Sequence, residues 1–137
     1  MADYAKPLPD VTDSRMAPYW EAAKRHELRM QRCPNCSYVR FPAAQHCPEC
    51  LEENNEWVLL SGRGTVWSFG VYHHIFNRNF ADDIPYNVAL VQLEEGPRLV
   101  TSIVGVANDA IEMDMPVEVE FDDVTDEVTL VKFRPTE

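Results

Sequence analysis

Four cysteines stand as two Cys-x-x-Cys pairs, Cys33 with Cys36 and Cys47 with Cys50, and ten residues, Ser37 to His46, separate the pairs. A tetrahedral Zn²⁺ takes four soft thiolates, and each x-x turn aims two sulfurs at one point. Pro34 and Pro48 follow the first cysteine of each pair and stiffen both turns. The two copies, CPNC and CPEC, are near repeats, as two facing zinc knuckles require. Two disulfides would need an oxidising compartment, and Met1 to Pro9 is polar and proline-rich with no apolar leader core. A redox Cys-x-x-Cys usually occurs once, beside a βαβ pattern. One structural Zn²⁺ is therefore the expected cofactor. Iron is the competing metal, because the same ligands hold it. Four sulfur ligands would leave no open position for water or substrate and no free thiol as nucleophile. No catalytic residue is assigned, and the chain reads as structural or accessory by itself.

The other chemistry-bearing residues each have a plainer reading. His73 and His74 are consecutive in a run of strand character, so they should face opposite ways, and either could serve as an acid–base group. Phe76, Phe80 and Tyr86 flank the following loop, which also holds Arg78. They suit an apolar wall for a ligand or partner, or ordinary core packing. Lys24, Arg25, Arg29, Arg32 and Arg40 form the only basic cluster. These side chains either offset a thiolate centre of formal charge about −2 or hold the phosphates of a nucleotide-type ligand. Arg63 lies in Ser61-Gly62-Arg63-Gly64, which lacks the following helix and the lysine of a phosphate loop and reads as a tight turn, with Arg63 itself a candidate to hold an anionic ligand. Tyr19 and Trp20 sit on the apolar face of a short helix, to pack on the same chain or dock a partner subunit.

The elements that must position these residues follow from periodicity. Pro7 and Pro9 keep residues 1–10 extended, and Thr12 or Asp13 is expected to cap a helix running to about Arg25. Leu28 and Met30 alternate with Arg29 and Gln31 as a strand leading into the first knuckle, and Tyr38 to Phe41 is the return strand. Glu52 to Glu56 is a polar connector. Beyond it come five strand-like runs: Thr65–Ile75, with a bulge or bend expected at Gly70, then Pro85–Leu93, Arg98–Val106, Val117–Phe121 and Val128–Phe133. A helical turn is expected between the third and fourth, at Asn108–Met113. The expected fold is mainly β: an N-terminal arm and helix over residues 1–26, a rubredoxin-like four-cysteine zinc ribbon over 27–56, and a five-stranded OB-type barrel over 57–137.

Charge narrows the partners. The net charge is −11. Residues 1–50 carry seven basic and six acidic groups, whereas residues 51–137 carry five basic and seventeen acidic ones. A phosphate backbone would be repelled by the second half, so single-stranded nucleic-acid binding is disfavoured despite stacking candidates Trp67, Phe69 and Tyr72. No apolar run approaches the ~20 residues that span a bilayer, and the default location is the cytoplasm.

These residues in this order resemble the zinc-ribbon plus OB-fold accessory proteins often encoded beside acyl-CoA enzymes. The likeness rests on Tyr19-Trp20, the CPNC…CPEC ribbon, the turn Ser61 to Val66, Pro85-Tyr86 leading into VALVQLEEG, and Phe133-Arg134-Pro135. Ser37 departs from the glycine common after the second cysteine. The resemblance implies a non-catalytic subunit that assembles with a thiolase-fold enzyme, a thiolase-like aldol lyase or a hotdog-fold enoyl-CoA hydratase. It would complete or gate the partner's acyl-CoA site, with a coenzyme A thioester at the interface. The small subunit of a benzoylsuccinyl-CoA-type thiolase is a similar, compact example.

Overall fold

The computed structural model describes residues 6–136, so the start of the expected N-terminal arm lies outside the described residues. Helix α1 is Ala17–Lys24. It begins later than the Thr12 and Asp13 caps suggest. Pro18 must occupy the first turn, where its missing N–H is harmless. The Asp13 carboxylate instead accepts from the Arg15 N–H, and the Asp13 carbonyl accepts from Met16 and Ala17.

Strands β1 (Arg29–Arg32), β2 (Val39–Arg40) and β3 (Glu56–Leu59) make a three-stranded antiparallel sheet in the order β2-β1-β3. Strand β3, which starts at the end of the polar connector, thus joins the ribbon sheet. Met30 faces Val58 and Gln31 faces Trp57, so hydrogen bonding ties residues 27–56 to the start of 57–137.

The second sheet has β4 (Arg63–Tyr72), β5 (Tyr86–Leu93), β6 (Arg98–Thr101), β7 (Pro116–Asp123) and β8 (Thr129–Pro135), in the order β6-β5-β4-β7-β8. The five strands come in the expected chain order. A 3₁₀ turn at Asn108–Ala110 lies between the third and fourth. The sheet curls into an OB-type half-barrel. Strand β6 stops at Thr101, short of the expected Val106, because the chain there turns toward β8. Ile103 bridges Phe133 in parallel, Val104 donates to the Phe133 carbonyl at 2.8 Å, and the Thr101 hydroxyl donates to Val131 at 2.9 Å.

Alternation in β5 is strict, with Asn87, Ala89, Val91 and Leu93 buried and their neighbours half-buried. In β4 the register slips between Val66 and Ser68. The bulge is at Trp67, not at Gly70, whose missing side chain leaves only ordinary contact distances. Gly62 and Gly64 carry the structural need instead. A side chain on Gly62, at φ +78°, would meet Val119 at 2.6 Å, and one on Gly64 would collide with the Gln92 carbonyl.

One apolar core runs through both sheets. Tyr19, Leu28 and Met30 join Val66, Val91, Val117 and Phe133 in it. Among the described residues no helix is long and apolar enough to cross a membrane.

Candidate functional site

The four cysteine sulfurs all lie within 4.8 Å of one another. Cys33 Sγ is 3.5 Å from Cys50 Sγ, and Cys36 Sγ is 3.5 Å from Cys47 Sγ. A tetrahedron built on Zn–S bonds of about 2.3 Å has edges of about 3.8 Å, so the donor set fits one tetrahedral metal.

Two superposable knuckles place the sulfurs. Cys33 N–H donates to Tyr38 and Cys47 N–H to Glu52, each at 2.9 Å. Ser37 donates back to Cys33 and Leu51 to Cys47, each at 2.8 Å. Ser37 and Leu51 both sit at φ 67°. The non-glycine residue at Ser37 therefore keeps the knuckle's left-handed turn rather than altering it.

Asn35, inside the first x-x turn, donates its amide to Cys50 Sγ at 3.5 Å. That bond and the Glu52 N–H hold the Cys50 thiol down to about 6. At Cys36 the Tyr38 N–H favours the thiolate, but lost solvation and the three neighbouring sulfurs push it up to about 12. So close a set cannot ionise fully by itself. A divalent cation lets all four sulfurs carry charge, and the residues present fit that role.

The aromatic residues of α1 turn inward. Tyr19 is 4% exposed, edge-on to Trp20 at 5.0 Å and tilted on Phe41 at 5.1 Å. Trp20 is half-buried beside Leu130 and Val131 in the groove between α1 and the half-barrel. The helix thus packs on its own chain.

Beyond the bulge, β4 and β5 extend past their neighbours. β7 pairs with β4 only at Arg63–Thr65, and β6 pairs with β5 no further than Ala89. Residues 70–72 and 86–88 therefore form a two-stranded arm. Its base is braced by Asn87, whose side chain donates to Ile103 at 2.9 Å and accepts from it at 2.7 Å.

The arm carries a ladder of rings. His74 meets Phe76 at 4.7 Å, Phe76 meets Tyr72 at 6.4 Å, Tyr72 stacks on Tyr86 at 5.5 Å, and Tyr86 reaches Phe80 at 5.8 Å. Phe76, at the tip, is 73% exposed. Strand β4 ends at Tyr72, so His73 and His74 lie in the loop rather than in a strand, and both are exposed. They still diverge. His74 joins the ladder, while His73 lines a cavity of about 450 Å³ with Val71, Pro85, Asn108 and Asp109. Arg78 opens the 3₁₀ turn Arg78–Asp83, is exposed, and has no ion pair among the described residues.

The basic cluster is mostly neutralised. Arg25 and Arg29 share Glu27, and Arg32 pairs with Glu56 at 3.0 Å. Arg40 is 3% exposed and donates to Gln31 and to the Ala44 carbonyl. Arg63 is exposed and 3.4 Å from Glu94. The structure thus brings the cysteines together, brings His74, Phe76 and Phe80 together with Arg78 in the same loop, and places Arg40, Arg63, Tyr19 and Trp20 elsewhere. Sequence reasoning passed over Asn35, which only its position between the ligands could have flagged.

Comparison with known proteins places the chain among named relatives. Residues 20–56 match the family described as the ChsH2 rubredoxin-like zinc ribbon domain, and residues 57–122 the ChsH2 C-terminal OB-fold domain. A DUF35 domain-containing scaffold protein of Methanocaldococcus jannaschii is 34% identical over 135 residues, covering 93% of this chain and 95% of the relative. A probable enoyl-CoA hydratase alpha subunit of Thermomonospora curvata is 42% identical over 131 residues, and this chain spans 40% of that subunit. The benzoylsuccinyl-CoA thiolase subunit BbsA of Thauera aromatica is 32% identical over 78 residues, covering 57% of this chain and 52% of the subunit. Among solved structures, a chain of the Ltp2-ChsH2(DUF35) aldolase superposes with a TM-score of 0.83 and is 41% identical, covering 95% of this chain and 98% of that one.

Proposed function

The chain belongs to the ChsH2-type zinc-ribbon and OB-fold family of DUF35 scaffold proteins, and from that membership we propose that it is a non-catalytic accessory subunit of a thiolase-like acyl-CoA enzyme. Its metal is zinc, held by Cys33, Cys36, Cys47 and Cys50, and its role is assembly of the complex and completion or gating of the acyl-CoA site. The observation that carries this reading is the likeness, over 95% of this chain and 98% of the other, to a chain of the Ltp2-ChsH2(DUF35) aldolase. The closed set of four sulfurs supports it, since such a centre builds structure and has no position for substrate.

The partner supplies the nucleophile and the acid–base groups. This chain supplies a rigid surface. The arm bearing Tyr72, His74, Phe76, Phe80 and Tyr86 is the contact we assign to the catalytic subunit, because an exposed ring ladder offers large apolar area at low entropy cost. Arg78 beside it is the cation available to a coenzyme A thioester at that interface. The hydratase alpha subunit among the relatives favours a second reading, in which the same surface serves an enoyl-CoA hydratase.

Co-expression with each class of catalytic subunit tests both. The reading predicts a stable complex with a thiolase-like enzyme whose carbon–carbon bond cleavage depends on this chain. A thiolase-like partner that stays apart, with full activity alone, would overturn it.

A further inference from the structure

On the ribbon sheet, Gln31 of β1 lies between Arg40 of β2 and Trp57 of β3. All three share one face, and the start of α1 lies over it. The three side chains sit at the back of a pocket or in its wall. The pocket is about 330 Å³ and is lined by Ser14, Arg15, Gln31, Gln45, Asn55 and Trp57, among others.

Gln31 is only 5% exposed. Its side-chain oxygen accepts two hydrogen bonds, from Arg40 Nε and from the Ala44 N–H, both at 2.9 Å. Both lone pairs are then in use, which fixes the orientation of the amide. The other end, the Nε2 group with its two protons, has no partner among the described residues and belongs to the pocket wall. Behind it, buried Arg40 contacts no carboxylate among the described residues, and its Nη1 is buried without a partner. At the mouth, Arg15 has no ion pair among the described residues.

The lining contains no acidic residue, in a chain with 23 of them. An unpartnered amide donor in the wall and an exposed guanidinium at the mouth thus border one pocket whose lining holds no carboxylate, with the buried Arg40 guanidinium behind the amide.

We propose that this pocket binds an oxyanion, a phosphate or carboxylate group, on Gln31 Nε2 and the Arg15 guanidinium, with buried Arg40 supplying positive potential behind the amide. No cysteine and no residue of the aromatic arm lines the pocket. A bound oxyanion would also tie the start of α1 to the ribbon sheet.

Side-chain amide and indole resonances of the zinc-loaded full chain, followed by NMR during titration with inorganic phosphate and separately with acetate, test the proposal. The expected result is a saturable shift of the Gln31 NH₂ and Trp57 indole signals with at least one of the two anions, at constant ionic strength. The tighter of the two identifies the phosphate or carboxylate source. In Arg15→Gln, a surface change that leaves the sheet intact, the same titration should weaken at least tenfold. Non-saturating shifts matched by chloride, or saturable shifts undiminished in Arg15→Gln, would overturn it.

Discussion

Ser37 and Leu51 close the two knuckles at φ 67°, a conformation that costs any residue with a Cβ roughly 1–2 kcal/mol. In each, that conformation lets the N–H reach back to the carbonyl of the first cysteine of its pair. Ser37→Gly should therefore stabilise the zinc-loaded chain. Relief of strain exceeds the added entropy of the unfolded state, leaving about 0.5–1 kcal/mol. Urea unfolding of the two proteins measures it, and a loss of stability would contradict the knuckle geometry. At this scale the cysteines were fully legible, since ligand type and spacing are local properties. Gln31 was not. In alternation with Met30 it reads as a solvent-facing residue, and only the packing of α1 and Arg40 over that face buries it.

At the scale of elements, the β4–β5 arm and the seam between helix and half-barrel carry separate expectations. Phe76 is exposed and its ring contacts are confined to the ladder, so Phe76→Ala should leave thermal stability within a degree or two. It should weaken binding of the catalytic subunit by about tenfold or more, as loss of a central aromatic anchor does. Calorimetric titration of the partner with the variant checks this, and unchanged affinity would remove the arm from the interface.

The seam is pinned by His26, at the exit of α1. Its ring stacks on Phe121 at 5.2 Å and reaches the Asp123 carboxylate at 3.0 Å. Thr129, through its hydroxyl, and His26 together hold the Asp123 carboxyl below the usual carboxylate range. A carboxylate depressed in the folded state adds stability above its unfolded value, about 3.9, and loses it as pH falls through the folded value. Asp123→Asn should thus lower the melting temperature at neutral pH, with the gap to wild type closing below about pH 4. A gap independent of pH would assign the effect to packing alone.

Five barrel strands were legible in order because each is a short run rich in β-branched and aromatic residues bounded by turn residues, though only β5 and β6 alternate strictly in burial. Their ends were not. The halt of β6 at Thr101, the bulge at Trp67 and the pairing of β3 with β1 depend on partners distant in the chain. The same is true of the arm, whose loop histidines look like strand residues until β4 is seen to end at Tyr72.

At the scale of the whole molecule, a near-neutral ribbon half and a strongly acidic half-barrel share one core but little independent stability on the ribbon side. Three short strands bury too little apolar surface to fold alone, so the metal must supply much of the ribbon's folding free energy. On the function proposed above, the four-cysteine centre is a clamp that holds α1, β1 and β3 against the half-barrel for the partner subunit. The most direct test is Cys36→Ser, with zinc content, complex formation and partner activity measured on the same co-purified sample. The clamp predicts that zinc and assembly are lost together, and partner activity with them. Zinc lost while the complex and its activity survive unchanged would contradict it.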